Sequence, residues 1–177
     1  MVLIQEKILE LAGQLKQVLL PHNLYCTVAE SCTGGSLSAA ITDIDGCSQW
    51  FDRGFITYSN QAKVELLGVD YQLIVEHGAV SDIVACAMAD GALAVSRAQL
   101  SVAISGIAGP TGGSKQKPVG TVWIAWAAEG LVTKSECFLW TGNRHDIRMQ
   151  AVAQSLLGLI TLAKQLVLFR TSQAPAI

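Results

Sequence analysis

The heptad AESCTGG at residues 29–35 decides the fold, because it joins a segment typical of a buried strand to one typical of a helix. Residues 24–29 are rich in β-branched and aromatic side chains, and residues 36–41 alternate small and apolar ones without a helix breaker. A hydroxyl residue at such a junction lies beside free N–H groups at a helix N-terminus, which favour negative charge. The heptad therefore predicts Ser31 as a nucleophile whose oxyanion is stabilised there. The simpler alternative is that Ser31 or Thr33 only caps the helix.

The length and hydropathy of the chain indicate one domain with a full hydrophobic core, spanning residues 1–177. The hydrophobic content of 51% and the mean hydropathy of +0.41 are high. However, the sequence contains no run of about 18 apolar residues, the length that a membrane span needs. The most apolar stretch, residues 148–168, is interrupted by polar side chains and fits a core helix. Because no secretory leader is visible either, we expect a cytoplasmic protein without membrane contact.

The charge and the metal-ligating residues argue against several other classes of protein. The 12 Lys and Arg against 14 Asp and Glu give a net charge of −2 without a basic cluster, whereas nucleic-acid phosphates are bound by grouped Lys and Arg. The five Cys form no CxxC pair, and no two of the three His are close in sequence. We therefore expect a small-molecule partner and no nucleic acid, metal or cofactor.

Hydrophobic periodicity predicts helices early and late in the chain. Apolar residues recur at steps of three and four in residues 4–18, and a helical stripe follows the turn at residues 141–143. Further strands are predicted at 50–58, 100–105, 121–128 and 132–140, and further helices at 61–67, 71–77 and 82–96. The Glu129-Gly130 turn joins the last two strands as a hairpin. The prediction is an α/β fold, a three-layer α/β/α domain around a mixed sheet of about five strands, with residues 170–177 as a frayed tail.

A serine nucleophile needs a general base, and the residues after the second predicted strand offer one. The GxSxG elbow is absent, and none of the histidines lies in a turn suited to the role. Tyr58 ends the strand, and Lys63 lies in the first turn of the next helix. Because strand ends on one edge of a sheet share a crevice, we predict Ser31, Tyr58 and Lys63 as catalytic residues. The alternative is that Lys63 is solvated and Tyr58 only packs.

A lysine that acts as a base must be neutral near pH 7. Moving its pKa from about 10.4 to about 7.5 costs roughly 4 kcal/mol. Burial or a second positive charge has to supply this, and Arg53 and Arg144 are the candidates for that charge. Both arginines also suit an anionic substrate.

Residues 106–114 carry four glycines in nine residues, so backbone N–H groups can approach a phosphate or carboxylate closely. This glycine-rich loop is neither a P-loop nor a dinucleotide fingerprint, because it has no Gly-Lys-Ser/Thr ending and no helix directly follows it. It is either an anion-binding loop or a simple mobile one. Arg144, at the start of the last helix, can bind the same anion bidentately, with Arg148 one turn further on as its surface neighbour.

Five stretches resemble one family in the same order along the chain. They are AESCTGG at 29–35, GFITYSNQAK at 54–63, HGAVS at 77–81, SGIAGPTGG at 105–113 and KPVGTV at 117–122. Together they are similar to the CinA C-terminal domain family, and the resemblance extends from about residue 5 to about residue 165. Members of that family include the nicotinamide-nucleotide amidohydrolases, also called NMN deamidases.

The resemblance implies hydrolysis of the carboxamide of nicotinamide mononucleotide (NMN) to nicotinate mononucleotide and ammonia, without a metal, in pyridine-nucleotide salvage. It implies Ser31 as the nucleophile, with Lys63 and Tyr58 as base and relay. The residues expected to bind the substrate are Thr33, Gly34, Gly35, Ser105, Gly106, Gly109, Gly112, Gly113 and Arg144. A homodimer is expected as well.

The resemblance identifies the fold better than the activity. Many relatives carry a further N-terminal nucleotide-hydrolase domain, whereas 28 residues precede the AESCTGG motif here. We therefore expect a stand-alone form without pyrophosphatase activity. Two alternatives stay open: a non-catalytic nucleotide-binding or competence-related assembly module, and an amidase for another small carboxamide.

Overall fold

The computed structural model describes residues 2–173. Five strands and six α-helices follow one another along these residues, with two short 3₁₀ helices at Leu20–His22 and Cys47–Gln49. The helices are α1 (Val2–Leu19), α2 (Ser36–Thr42), α3 (Asn60–Leu67), α4 (Tyr71–His77), α5 (Asp82–Ala94) and α6 (Arg144–Gln173). The strands are β1 (Cys26–Glu30), β2 (Phe51–Ile56), β3 (Leu100–Gly106), β4 (Thr121–Ala128) and β5 (Lys134–Leu139).

The strands form one sheet in the order β2-β1-β3-β4-β5. Strand β1 lies between β2 and β3 and is parallel to both. Strand β4 is antiparallel to β3, and β5 is antiparallel to β4, so the last two strands form the predicted hairpin. This mixed five-stranded sheet, with helices on both faces, confirms the predicted three-layer fold.

Two hydrophobic cores lie on opposite faces of the sheet. Val28 and Val102, which are paired across β1 and β3, point into the core formed with α1, α2 and α6. One residue further along, Ala29, Ala103 and Ala125 form a row across three strands and point into the core formed with α3, α4 and α5. Successive side chains of a strand point to opposite faces, so each strand contributes to both cores. The small alanines allow α5 to pack close to the sheet.

Several elements end at residues other than those predicted. Strand β1 begins at Cys26 and includes Glu30, and β5 begins at Lys134. Helix α6 continues to Gln173, so residues 170–173 are helical where a frayed tail was expected. The helix is extended because Phe169 packs against the core and Arg170 pairs with Glu129 at 2.7 Å. The rest of the predicted tail, 174–177, lies outside the described residues.

Helix α6 is 30 residues long and, among the described helices, is the one whose length and composition would allow it to cross a membrane. Half of its most apolar window is buried within the fold. Leu156, Leu159 and Leu166 are among the side chains that it buries in the core. The core helices of globular proteins have the same composition.

The parallel strands bring three chain segments to one edge of the sheet. Ser31 follows β1, Thr57 and Tyr58 follow β2, and the glycine-rich loop follows β3. Hydrogen bonds continue the sheet past the strand ends, since Ser31 N donates to Ile104 O at 3.0 Å. Ligands of open α/β sheets bind at this carboxyl edge.

Substituting Gly91→Ala tests the close packing of α5 against α3. A β carbon at Gly91 would collide with the carbonyl oxygen of Leu67, which cannot move without shifting α3. We expect the free energy of unfolding to fall by about 1–3 kcal/mol, measured by urea denaturation. Gly13→Ala in α1 is the matched control, because a β carbon there meets no atom within 4 Å. We expect that control to gain about 0.5–1 kcal/mol, and equal effects at the two positions would contradict the packing.

Candidate active site

The structure brings Ser31 and Lys63 into contact. Lys63 Nζ lies 3.2 Å from Ser31 Oγ, 2.9 Å from the carbonyl oxygen of Thr57 and 3.5 Å from that of Ser59. Lys63 is 1% exposed. Within residues 2–173, no carboxylate lies at ion-pair distance from its amine.

Burial lowers the pKa of Lys63 below its ordinary value, because an ammonium ion in this position loses its hydration. A neutral amine has two N–H groups and one lone pair. The carbonyl oxygens of Thr57 and Ser59 can accept the two N–H groups, which leaves the lone pair for the hydroxyl proton of Ser31. The contact is therefore suited to general-base activation of a serine.

The start of α3 explains why Lys63 points inward. Ser59 Oγ accepts a hydrogen bond from Ala62 N at 3.0 Å and caps the helix, which then begins at Asn60. Lys63 and Leu67, four residues apart on one face, are the buried residues of this short helix. Lys63 is therefore buried, and the alternative prediction that it is solvated is wrong.

Tyr58 lines the same cleft as Ser31 but is hydrogen-bonded to Arg144 and not to the Ser31–Lys63 pair. It is 61% exposed, and its hydroxyl accepts a hydrogen bond from Arg144 Nη2 at 2.9 Å. The side chain of Thr57 points inward, so the next side chain along the extended backbone points outward. Among the described residues, the Tyr58 hydroxyl makes no hydrogen bond with Ser31 or Lys63. The structure therefore places Ser31 and Lys63 in contact, but it does not show a hydrogen bond through which Tyr58 could relay a proton to them.

Glu30 is the residue of the site that the sequence analysis missed. Its carboxylate is fully buried and accepts hydrogen bonds from the backbone N–H groups of Gly35, Leu37 and Ser38 and from the Ser38 hydroxyl, at 2.7–3.0 Å. These are the free N–H groups at the start of α2. The carboxylate thus occupies the helix N-terminus that was expected to stabilise an oxyanion. A carboxylate at the end of an otherwise buried strand, just before a helix, is the signal that could have revealed it.

Two other backbone N–H groups near Ser31 remain available. Those of Cys32 and Thr33 donate to no acceptor among the described residues, whereas Gly34 N donates to Ser31 O at 3.1 Å. Cys32 lines the cleft beside Ser31. Burial raises the pKa of its thiol to about 12, so the thiol is uncharged at neutral pH and does not compete as a nucleophile.

Ser31 opens into a cleft of about 260 Å³ between the AESCTGG turn and the glycine-rich loop. The expected substrate-binding residues that line this cleft are Gly106, Gly109, Gly112 and Arg144. Those that do not line it are Thr33, Gly34, Gly35, Ser105 and Gly113. Ser105 has a structural contact instead, because its hydroxyl donates to Ala79 O at 2.6 Å.

The HGAVS segment at residues 77–81 anchors the glycine-rich loop at both ends. Ser105, before the loop, binds Ala79 O, and Lys117, after the loop, donates from Nζ to His77 O at 3.0 Å. Between these anchors, Gly109 has a φ of 74°, which favours glycine. The loop is therefore held at its ends while its backbone faces the cleft.

Arg144 connects the loop to Tyr58. Its Nη1 donates to Gly109 O at 2.8 Å, and its Nη2 donates to the Tyr58 hydroxyl. Arg53, the other candidate for a second positive charge, lies elsewhere. It pairs with Asp52 at 2.7 Å and donates to Val95 O at 3.3 Å, and it does not line the cleft.

Arg148 is more than the surface neighbour that was expected. Its Nη2 donates to Thr33 O at 2.6 Å and to Ser36 Oγ at 2.8 Å. Through these bonds α6 holds the turn that carries Ser31. The positive charges of Arg148 and Arg144 also act on Cys32, where they oppose the effect of burial on the thiol pKa.

The fold and this site define an α/β domain with a serine–lysine pair at the carboxyl ends of parallel strands. In the part of the chain that the structure describes, no group of three His, Cys, Asp or Glu could hold a metal ion. The CinA C-terminal domain family matches residues 8–163, and the chain belongs to this family.

Curated relatives and a solved structure agree with this membership. The chain is 50% identical over 153 residues to "Nicotinamide-nucleotide amidohydrolase PncC" of Escherichia coli K12, covering 85% of this chain and 91% of that protein. It is 46% identical over 160 residues to the protein of the same name in Pseudomonas putida, covering 90% and 99%. The crystal structure of the "competence/damage inducible protein CihA" from Agrobacterium tumefaciens matches with a TM-score of 0.87 at 43% identity, covering 88% of this chain and 95% of that one.

Replacing Glu30 tests its role at the start of α2. In Glu30→Ala the N–H groups of α2 lose their charged acceptor inside the protein, so we expect the free energy of unfolding to fall by about 3 kcal/mol. Glu65→Gln on the exposed face of α3 is the control, with an expected change below about 0.5 kcal/mol. Both are measured by urea denaturation. A Glu30→Ala protein as stable as the control would contradict the capping role.

Proposed function

We propose that this chain is an amidohydrolase that converts NMN to nicotinate mononucleotide and ammonia through an acyl-enzyme on Ser31. The observation that carries the proposal is the contact between Ser31 Oγ and the buried amine of Lys63 at 3.2 Å. The substrate is suggested by the relatives from E. coli and P. putida, which are named nicotinamide-nucleotide amidohydrolases.

In the proposed reaction, neutral Lys63 takes the hydroxyl proton as Ser31 attacks the carboxamide carbon. The oxyanion of the tetrahedral intermediate is held by the free N–H groups of Cys32 and Thr33. Lys63 then gives its proton to the leaving nitrogen, and ammonia departs. Water, deprotonated by the same amine, attacks the ester carbon and releases nicotinate mononucleotide with Ser31 restored.

Tyr58 and Arg144 have a binding role in this proposal. The exposed phenol and the guanidinium, joined by their hydrogen bond, form the rim of the cleft over Ser31. Lys63 acts as the base without the relay through Tyr58 that the resemblance implied. No step requires a metal, so a chelator should leave the rate unchanged.

Ammonia release from NMN by wild type, Ser31→Ala and Lys63→Met tests the assignment. We expect Ser31→Ala to lower kcat/KM by at least about 10³-fold, because no nucleophile remains. Lys63→Met keeps an unbranched side chain, one atom shorter, without its basicity, and we expect a loss of about 10²- to 10⁴-fold. Lys164→Met, on the exposed side of α6, is the matched control and should keep the wild-type rate.

The outcomes separate the alternatives. A Ser31→Ala enzyme as fast as wild type would remove Ser31 as the nucleophile. Binding of NMN without ammonia release would favour the nucleotide-binding alternative. Faster hydrolysis of free nicotinamide or of the nicotinamide dinucleotide than of NMN would favour an amidase for another carboxamide.

The pH dependence of kcat/KM tests the protonation state of Lys63. The base is active when neutral, and burial lowers its pKa. The rate should therefore rise with pH through that lowered pKa and level off below the ordinary lysine value of about 10.4. The measurement is ammonia release at saturating and at low NMN between about pH 6 and 9. A rate that falls steadily over this range would contradict an unprotonated lysine.

A further inference from the structure

The outer edge of β5 has backbone groups that can accept a further strand. Within residues 2–173, β5 lies at one end of the sheet and pairs with β4 alone. Just after β5, Trp140 N donates to Gly120 O at 3.0 Å, towards the β4 side. In an antiparallel strand, the N–H and C=O of one residue point to the same side, and the side alternates from residue to residue. Ser135, Cys137 and Leu139 therefore direct these groups away from the sheet, where another strand could bind them.

The charges on β5 are complementary to those on a second copy of the same strand. Lys134 and Glu136 are exposed, lie two residues apart on one face of β5, and line the groove beside α6. Neither forms an ion pair with another described residue. A two-fold axis beside Ser135, perpendicular to the sheet, would place Lys134 of each copy opposite Glu136 of the other. At these positions the strands exchange no hydrogen bonds and the side chains are closest, so opposite charges stabilise the pairing.

The neighbouring registers lack this complementarity. A shift of the pairing by two residues in one direction would set the two Glu136 carboxylates opposite each other. The same shift in the other direction would set the two Lys134 amines opposite each other. Like charges at opposed positions are destabilising. The charges therefore select one register among those that keep the α6 faces of both copies on the same side.

The selected register also brings apolar side chains together. Val132, which is 83% exposed, would lie opposite Phe138 of the second copy. The ring of Phe138 stacks on that of Trp140, with 4.8 Å between the ring centroids. Val132 also lines the groove between β5 and α6, which has a volume of about 720 Å³ and includes Trp126 and Leu162. A second copy on this edge would thus cover apolar surface as well as pair the charges.

The other edge strand, β2, does not have this pattern. Its charged side chains, Asp52 and Arg53, are consecutive, so they point to opposite faces of the sheet. They are also used within the chain, because Asp52 pairs with Arg53 at 2.7 Å and with Arg97 at 2.9 Å. The comparison favours β5 as the edge that takes a second copy.

We propose that β5 pairs with β5 of a second copy of this chain, antiparallel about a two-fold axis beside Ser135. The pairing joins the two five-stranded sheets into one continuous sheet. The homodimer expected from the sequence had no surface assigned to it, and this proposal names both the surface and the register. It does not depend on the proposed amidohydrolase function.

Exchanging the two charges tests the proposal. Lys134→Glu alone, or Glu136→Lys alone, sets like charges opposite each other at both symmetry-related pairs. We expect each variant to raise the Kd of the dimer at least about tenfold, measured by analytical ultracentrifugation. The double variant Lys134→Glu/Glu136→Lys pairs opposite charges again and should restore the wild-type Kd. Lys7→Glu, at an exposed position of α1, is the matched control and should leave the Kd unchanged.

Three results would overturn the proposal: a wild-type protein that stays monomeric, single variants that dimerise as tightly as wild type, and a double variant as weak as the single ones. If a charge variant does not fold, as judged by circular dichroism, Val132→Asp tests the same pairing at a position that is exposed in one copy. It should also weaken the dimer, because it places a carboxylate opposite Phe138 of the second copy. An unchanged Kd for Val132→Asp would contradict the register.

Discussion

The structure of the candidate site depends on an amine that is buried without a counter-ion. Lys63 is surrounded by the carbonyl oxygens of Thr57 and Ser59 and the hydroxyl of Ser31. Carbonyl dipoles compensate a buried ammonium ion less well than a carboxylate would, so the neutral form gains relative to an ordinary lysine. Most side chains of the two cores are apolar, and the other buried polar side chains include serines, threonines and Glu30. A buried amine without a counter-ion is typical of functional sites, where a perturbed pKa serves reactivity at a cost in folding stability.

The parallel arrangement of β1, β2 and β3 makes this contact possible. Ser31 and Lys63 are 32 residues apart, yet both follow strands that end at the same edge. Glu30 stabilises the position of Ser31 through the start of α2. By accepting three backbone N–H groups of α2, its carboxylate fixes the turn that presents Ser31. It also places a negative charge behind the serine, so the positive end of α2 is already neutralised and an oxyanion has to rely on other donors.

Much of the fold could be predicted from the sequence, because periodicity and turn residues are local signals. The hairpin of β4 and β5 followed from the Glu129-Gly130 connection, and the five-stranded mixed sheet followed from the alternation of strands and helices. The strand order could not be derived, since it depends on which faces of distant segments bury each other. The pairing of Tyr58 with Arg144 was missed for the same reason, because these residues are 86 positions apart. Glu30 and the N–H groups that it caps are close in sequence, so the signal was local. However, a glutamate in a strand does not indicate a capping role unless its burial is known.

The two arginines of α6 link the reacting group to the rest of the site electrostatically. Arg144 and Arg148 both act on Cys32 in the direction that favours negative charge, although burial has the larger effect on that thiol. Cys32 directly follows Ser31, so the same potential acts where an oxyanion would form. Arg148 also holds Thr33 by its carbonyl oxygen and so fixes the orientation of the turn. One helix thus fixes the turn and supplies its positive field, and its start at the cleft is set locally by Asn143 Oδ1, which accepts hydrogen bonds from His145 N and Asp146 N.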